Sequence, residues 1–183
     1  MTVSAAEHFT IVSQSGSSGE ATWVNTSNLI TSGTSEAIAT GTPHANGGSK
    51  TLHLSVPNWI SGIVDGCEFT SLKITFESKF QEGFRGGPFA ETASLTGGSA
   101  LYVADAFEGW YRDRELDGDA AFWGLTGTNR EIFTDLKSGA IKFNYLSEGS
   151  FFGDTDNYIK TIRATLTYVL PDTKRASILV TLP

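Results

Sequence analysis

The chain has 183 residues, 39% of them hydrophobic, and a formal net charge of −7 at neutral pH. This length favours one domain, and 12 Phe with 4 Trp supply a hydrophobic core, so a disordered chain is excluded. The acidic balance argues against a nucleic-acid partner, because affinity for phosphates rests on Lys and Arg, and the single cysteine, Cys67, excludes an intramolecular disulfide and a thiolate metal cluster.

The first twenty residues combine an apolar patch, with Phe9, Ile11 and Val12, and a Gly/Ser-rich connector. Such connectors are flexible. Residues 1–20 are therefore interpreted either as an arm that docks on a neighbouring protein or as a first strand followed by a loose loop. The N-terminus shows no basic segment followed by an apolar one, and no apolar run approaches membrane-spanning length, so we expect synthesis in the cytoplasm and no membrane partner.

Residues 21–170 are predicted to form a series of short strands separated by turn residues. The expected strands lie around Trp23, near Ala37, at residues 51–56, at 71–80, on both sides of Gly97-Gly98, at 141–145 and at 158–168. Apolar and polar residues alternate most clearly in residues 71–80 and 158–168, as in half-buried antiparallel strands. In the last strand, one mostly apolar face is expected to hold Tyr158, Lys160, Ile162, Ala164, Leu166 and Tyr168.

The pattern of short strands also predicts the fold class. No convincing amphipathic helix of ten or more residues is apparent, and no repeat of fixed period indicates a propeller. Short strands spaced by turns are typical of sandwiches and barrels. We therefore predict an all-β fold, a single antiparallel, jelly-roll-like β-sandwich with little or no helix over residues 21–170. A tail at residues 171–183 would hold a short strand with Ile178, Leu179 and Val180.

The sequence shows no catalytic, cofactor or metal motif. His8, His44 and His53 lack the spacing of a zinc site, and nucleophile-elbow and phosphate-loop patterns are absent. We therefore predict a protein that is not an enzyme, with no cofactor and no metal site. A glycosidase stays an alternative, because its two carboxylates need only meet in space. Cys67 is expected to be a small core residue.

Residues 104–120 are predicted to form a long polar excursion. It carries four acidic residues, Asp113, Glu115, Asp117 and Asp119. Hard cations such as calcium take several oxygen ligands at close spacing, but the twelve-residue calcium-loop pattern is incomplete here. A solvated loop is therefore favoured over a calcium site.

Three large aromatic residues, Trp59, Trp110 and Tyr111, lie at or beside predicted loops. They are candidates for contacts with a neighbouring subunit, for core packing or for stacking on a sugar ring. Trp23 and Trp123 are expected in the core.

Several segments, taken in order, resemble a β-sandwich module of tailed-bacteriophage structural proteins. They are residues 23–28, 49–57, 63–66, 122–126, 132–136 and 156–168. The likeness spans roughly Trp23 to Tyr168. Residues 62–67 depart from the clean middle strand of that module, and Lys137-Ser138-Gly139 replaces its usual Phe-Gly. The resemblance implies a virion protein without catalytic residues.

The expected function is that of a phage capsid decoration, or cement, protein that binds and stabilises the assembled shell. It would be a homo-oligomer located in the virion, with the major capsid protein or other virion proteins as partners. The interface candidates are Phe9, Ile11, Val12, Trp59, Trp110, Tyr111, Ile178, Leu179 and Val180. One alternative is a tail or head-fibre component with receptor or glycan binding. Another is a free carbohydrate-binding module or a small glycosidase.

Overall fold

The computed structural model describes residues 2–8, 10–16, 22–24, 37–40, 49–55, 62–82, 89–106, 111–148 and 155–171. These residues form two antiparallel sheets and one helix, α1 (Asn129–Ser138). The six-stranded sheet contains β1 (Thr2–His8), β3 (Thr22–Val24), β4 (Ala37–Thr40), β6 (Glu68–Glu82), β9 (Arg112–Gly118) and β11 (Thr155–Val169). The five-stranded sheet contains β2 (Thr10–Gly16), β5 (Ser49–Ser55), β7 (Phe89–Leu95), β8 (Leu101–Ala106) and β10 (Phe143–Glu148).

The strand order confirms the predicted sandwich. The six-stranded sheet runs β3-β4-β11-β6-β9, with β1 paired to β11, and the five-stranded sheet runs β2-β5-β10-β7-β8. From β4 onward the chain passes repeatedly between the two sheets, which gives four strands of each sheet a jelly-roll arrangement. Within the described residues, α1 is too short and too polar to cross a membrane.

The core lies between the two sheets and follows from alternation along the strands. Leu72, Ile74 and Phe76 of β6 are buried, while the residues between them are partly exposed. The ring of Phe76 lies 5.4 Å from Tyr145 and 6.3 Å from Phe143, both in β10 of the other sheet. These aromatic contacts join the two layers.

A β-bulge in β11 changes the predicted faces of that strand. Lys160 pairs with Glu77 and Arg163 with Thr75, so β11 advances by three residues where β6 advances by two. The extra residue allows both Ile159 and Ile162 to point into the core. Tyr158 and Lys160 lie on the face of β11 opposite to the face of Ile159. Because Ile159 and Ile162 are both buried in the core, the expectation that Tyr158 and Lys160 share a face with Ile162 is wrong. Ile162, Ala164, Leu166 and Tyr168 are buried together as predicted.

The expectation that the chain lacks a helix of ten residues is wrong at α1. Its N-cap, Thr128, forms a capping box with Glu131, and Gly139 ends the helix in the left-handed conformation at φ 77°. Ile132, Phe133 and Leu136 form its buried face. The capping box, the terminal glycine and the spacing of the buried residues are all local signals, so the sequence itself indicates this helix.

The predicted polar excursion is partly a strand. Residues 112–118 form β9, which pairs with β6 along its whole length. Asp113, Glu115 and Asp117 recur at a period of two, so they share one exposed face of the strand. Asp119 lies beyond β9, and its Oδ1 accepts a hydrogen bond of 2.9 Å from the Phe122 backbone N–H.

Two core expectations are confirmed. Cys67 is fully buried, its thiol donates to the Val64 carbonyl at 3.2 Å, and burial raises the pKa of that thiol. Trp123 is also fully buried. The segment before Cys67 is a turn with Gly66 at φ 80°, where the phage module has a middle strand.

The capping box gives a first testable prediction. Thr128→Ala removes the N-cap oxygen, so we expect the free energy of unfolding to fall by about 1 kcal/mol. Hydrogen bonds from the Thr128 N–H and hydroxyl lower the pKa of the Glu131 carboxyl below its ordinary 4.5. Because the folded pKa is the lower one, this contribution is present above pH 4.5 and is lost as the pH falls through the folded value.

Urea denaturation of wild type and Thr128→Ala should therefore differ most at neutral pH and least in acid. Thr126→Ala, at an exposed position outside the capping box, is the control. An undiminished difference in acid would show that Glu131 takes no part in the cap.

Candidate functional site

The candidate site is the outer face of the six-stranded sheet, the surface turned away from the core. Three strands that lie side by side, β9, β6 and β11, build it. Residues that alternate with the buried ones form rows across these strands. The rows are Tyr111, Lys79 and Tyr158; then Asp113, Glu77 and Lys160; then Glu115, Thr75 and Arg163; then Asp117, Lys73 and Thr165.

The first row is held by contacts between ammonium groups and tyrosine rings. Lys79 Nζ lies 4.6 Å from the ring centroid of Tyr111 and 4.4 Å from that of Tyr158. Lys160 Nζ lies 4.0 Å from the Tyr111 ring. Cations at these distances are attracted to the ring faces. The two tyrosines are therefore fixed at one end of the outer face, each partly exposed.

Two ion pairs tie the middle strand to its neighbours. Lys160 Nζ lies 3.0 Å from Glu77, and Lys73 Nζ lies 2.7 Å from Glu115. The hydrogen bond with Glu115 raises the pKa of Lys73. The exposed pair of Lys73 and Glu115 adds little to stability, whereas Lys160 and Glu77 are partly buried. Their effect here is to fix the direction of the four side chains on the outer face.

A depression of about 440 Å³ lies at the centre of the outer face. Thr75 is the shortest side chain among its neighbours, so it leaves a gap between the longer side chains around it. The lining residues are Thr75, Phe76, Glu77, Asp113, Arg114, Glu115 and Arg163. A volume of this size is in the range of small-ligand sites.

A polar contact at the inner side of the sheet supports this part of the site. Arg114 pairs with Phe76 in the strand register and is partly buried. Its Nε donates a hydrogen bond of 3.1 Å to the hydroxyl of Ser78, which is fully buried. This bond links β9 to β6 beneath the depression.

Among the interface candidates, the structure describes the side chain of Tyr111, which belongs to the outer face. Ile11 and Val12 lie in β2, of which the structure describes the backbone. The other candidates lie outside the described residues: Phe9, Trp59, Trp110, Ile178, Leu179 and Val180. Their role in contacts with other proteins stays a prediction.

The acidic residues of β9 lie in a row along one strand. Among the residues that the structure describes, no group of three His, Cys, Asp or Glu side chains is placed to hold a metal ion. Two of the three β9 acids line the depression, and Glu115 pairs with Lys73. Asp113 is therefore the β9 carboxylate of the lining that a ligand can use as a hydrogen-bond acceptor without competing with Lys73.

This site is not visible in the sequence of any single strand. Charged residues alternate in β6, β9 and β11, but each alternation by itself indicates an exposed face. The site arises because the register sets Asp113 beside Glu77, and because the bulge sets Arg163 beside Thr75. Neither pairing is visible from spacing within one strand.

Comparison with known proteins finds similarity at the level of structure. No family model matches the chain, and no curated protein matches it. Solved structures that resemble it include carbohydrate-binding modules. The module TmCBM61 in complex with β-1,4-galactotriose has a TM-score of 0.43 and 17% identity, over 86% of this chain and 88% of the module.

Family 29 modules show a similar likeness. A variant of CBM29-2 complexed with cellulohexaose has a TM-score of 0.45 and 12% identity, over 90% of this chain and 91% of that one. A further family 29 module has a TM-score of 0.47 and 10% identity, over 89% of both chains. No residue role passes from these proteins to the present chain, which is similar to carbohydrate-binding modules as a two-sheet β-sandwich.

Proposed function

We propose that this domain is a non-catalytic module that binds glycans on the outer face of the six-stranded sheet. The observation that carries the proposal is the depression over Thr75, which has carboxylates on its β9 side and a guanidinium on its β11 side. Two tyrosines lie in the row beyond Asp113 and Glu77. This supports the carbohydrate-binding alternative over the decoration protein.

Sugar chemistry matches this combination of groups. A pyranose carries hydroxyls that both donate and accept hydrogen bonds, so it suits a surface with carboxylates and cations side by side. Its C–H faces suit aromatic rings, and tyrosine adds a polar hydroxyl. Tyr111 and Tyr158 are held in place by Lys79, so little side-chain freedom would be lost on binding.

The geometry favours binding over hydrolysis. The proton donor of a glycosidase is typically a carboxylic acid in an apolar, buried setting. Asp113 and Glu115 are exposed on β9, and Glu77 is engaged by Lys160. These carboxylates are arranged as acceptors for hydroxyl groups.

Tyrosine substitutions test the proposal. We expect Tyr111→Ala and Tyr158→Ala each to weaken glycan binding about tenfold, or ~1.4 kcal/mol, because each removes an aromatic surface beside the depression. Tyr102→Ala is the matched control, since Tyr102 is 57% exposed on β8 of the other sheet.

The measurement is a glycan array that includes β-1,4-galactotriose and cellulohexaose, followed by calorimetric titration of each variant. Thermal melts would show that the variants stay folded. Failure of the wild-type protein to retain any glycan would overturn the proposal. An equal loss with Tyr102→Ala would remove the outer face as the binding surface.

The virion role stays a prediction from the sequence. It includes the capsid decoration protein, the tail or head-fibre alternative, the homo-oligomer and the capsid partners. A sizing column and a binding assay on assembled particles would test it. A fibre protein that binds glycans would combine that prediction with the present proposal.

A further inference from the structure

We propose that the ligand of the outer face is an uncharged saccharide, held from opposite sides by Asp113 and Arg163, and that the carboxylates of β9 reject acidic glycans. This inference rests on the proposed glycan-binding function. It adds the class of sugar and the residues that determine it.

The first support is the position of the two side chains. Asp113 lies on β9 beside Glu77, and Arg163 lies on β11 beside Thr75, so β6 runs between them and the two side chains are offset by one row. Two strand spacings, or about 10 Å, separate β9 from β11, and the offset makes the distance between the two residues somewhat longer. Thr75 of β6 pairs with Arg163, and its short side chain leaves the space between the two charged groups open.

The second support is the state of the charges around the depression. Glu77 is engaged by Lys160 and Glu115 by Lys73. In the described residues, Asp113 and Arg163 take part in no ion pair. Both side chains are exposed, so their hydrogen-bonding groups face the depression or the solvent.

These two groups are complementary to the hydroxyls of a neutral sugar. A carboxylate accepts two hydrogen bonds from neighbouring hydroxyls, and a guanidinium donates in a planar fork to hydroxyl oxygens. A sugar over Thr75 would therefore donate to Asp113 on one side and accept from Arg163 on the other. A ligand of one charge would suit only one of the two sides.

Acidic sugars meet repulsion on this surface. Asp113, Glu115 and Asp117 project along one strand, and the chain carries a net charge of −7. The carboxylate of a uronate would lie close to like charges unless it lay beside Arg163. Repulsion between exposed groups is screened by salt, so the rejection should depend on ionic strength.

The experiment uses two matched pairs of ligands. The neutral sugars cellulohexaose and β-1,4-galactotriose are titrated into the full chain. Each is compared with its counterpart in which C6 is oxidised to a uronate. We expect at least one neutral sugar to bind more than tenfold more tightly than its uronate at low salt, and the difference to shrink as sodium chloride is added. Equal binding of each neutral sugar and its uronate would overturn the inference but leave the glycan-binding function intact.

Substitutions then test the two residues. Asp113→Asn and Arg163→Gln should each weaken binding of the neutral sugar at least tenfold, while Asp135→Asn, at an exposed position on α1 outside the site, should leave it unchanged. Asp113→Lys should improve binding of the uronate. Unchanged affinities in the first two variants would contradict the assignment, and absence of binding to all four sugars would count against the proposed function itself.

Discussion

Trp123→Ala is expected to lower the free energy of unfolding by about 3–5 kcal/mol, the usual cost of removing a buried tryptophan. Its side chain is fully buried in the core, and its indole Nε1 donates a hydrogen bond of 3.0 Å to the Leu72 carbonyl of β6. Truncation would leave a cavity and remove the hydrogen bond to Leu72. Both effects destabilise β6, one of the three strands that build the outer face.

Two further variants separate these effects. Trp123→Phe keeps most of the volume and loses the hydrogen bond, so it should cost about 1–3 kcal/mol. Phe122→Ala truncates the neighbouring ring, which is 40% exposed, and should cost clearly less than Trp123→Ala. Urea denaturation followed by tryptophan fluorescence and circular dichroism is the measurement. Similar losses for Phe122→Ala and Trp123→Ala would contradict the central position of Trp123.

Deletion of residues 1–16 is expected to destabilise the domain by several kcal/mol, a large part of the 5–15 kcal/mol that domains of this kind have. Thr2–His8 pairs with residues 163–169 of β11, and Thr10–Gly16 pairs with β5 in the other sheet. Removal would take one strand from each sheet and expose backbone groups of β11 and β5.

Deletion of an arm that docks on a neighbouring protein would give a different result. An arm should leave the remaining domain folded with an unchanged urea midpoint. Because residues 1–16 supply a strand to each sheet, we expect their deletion to lower the urea midpoint, to reduce the sheet signal in circular dichroism and to promote aggregation. A synthetic peptide of residues 1–16 should restore the signal in part, since an added strand can occupy the vacant edge.

Apolar and polar residues alternate strongly in the strands that the sequence predicts correctly. Residues 71–80 lie within β6, and the pair around Gly97-Gly98 is the hairpin of β7 and β8. In these segments a buried and an exposed face alternate over several residues, so the period alone identifies the strand. The fold class followed from the number of such strands and the turns between them.

The features that were missed have two different causes. α1 has ten residues and carries local signals, a capping box at Thr128 and a left-handed glycine at Gly139, so its formation could have been predicted from the sequence. The bulge between Lys160 and Arg163 has no such signal, because it depends on pairing with β6. Tertiary contact between Ile159, Ile162 and the core decides that register.

The candidate site could not be predicted from the sequence for the same reason. From the sequence, Tyr111 is a candidate for subunit contacts, core packing or sugar stacking, and Asp113 and Glu115 belong to an acidic cluster. Their partners Thr75, Lys160 and Arg163 are distant in sequence and meet them only through the strand order β9-β6-β11. The individual residues of the site can therefore be recognised in the sequence, but their arrangement across the three strands cannot.

The most direct test of glycan binding at the outer face is a map of backbone amide shifts during titration with a neutral oligosaccharide. We expect shifts to concentrate on β6, β9 and β11 around Thr75, Asp113 and Arg163, with none around Tyr102 on the other sheet. Shifts confined to the five-stranded sheet, or no shifts with any neutral sugar, would contradict this expectation.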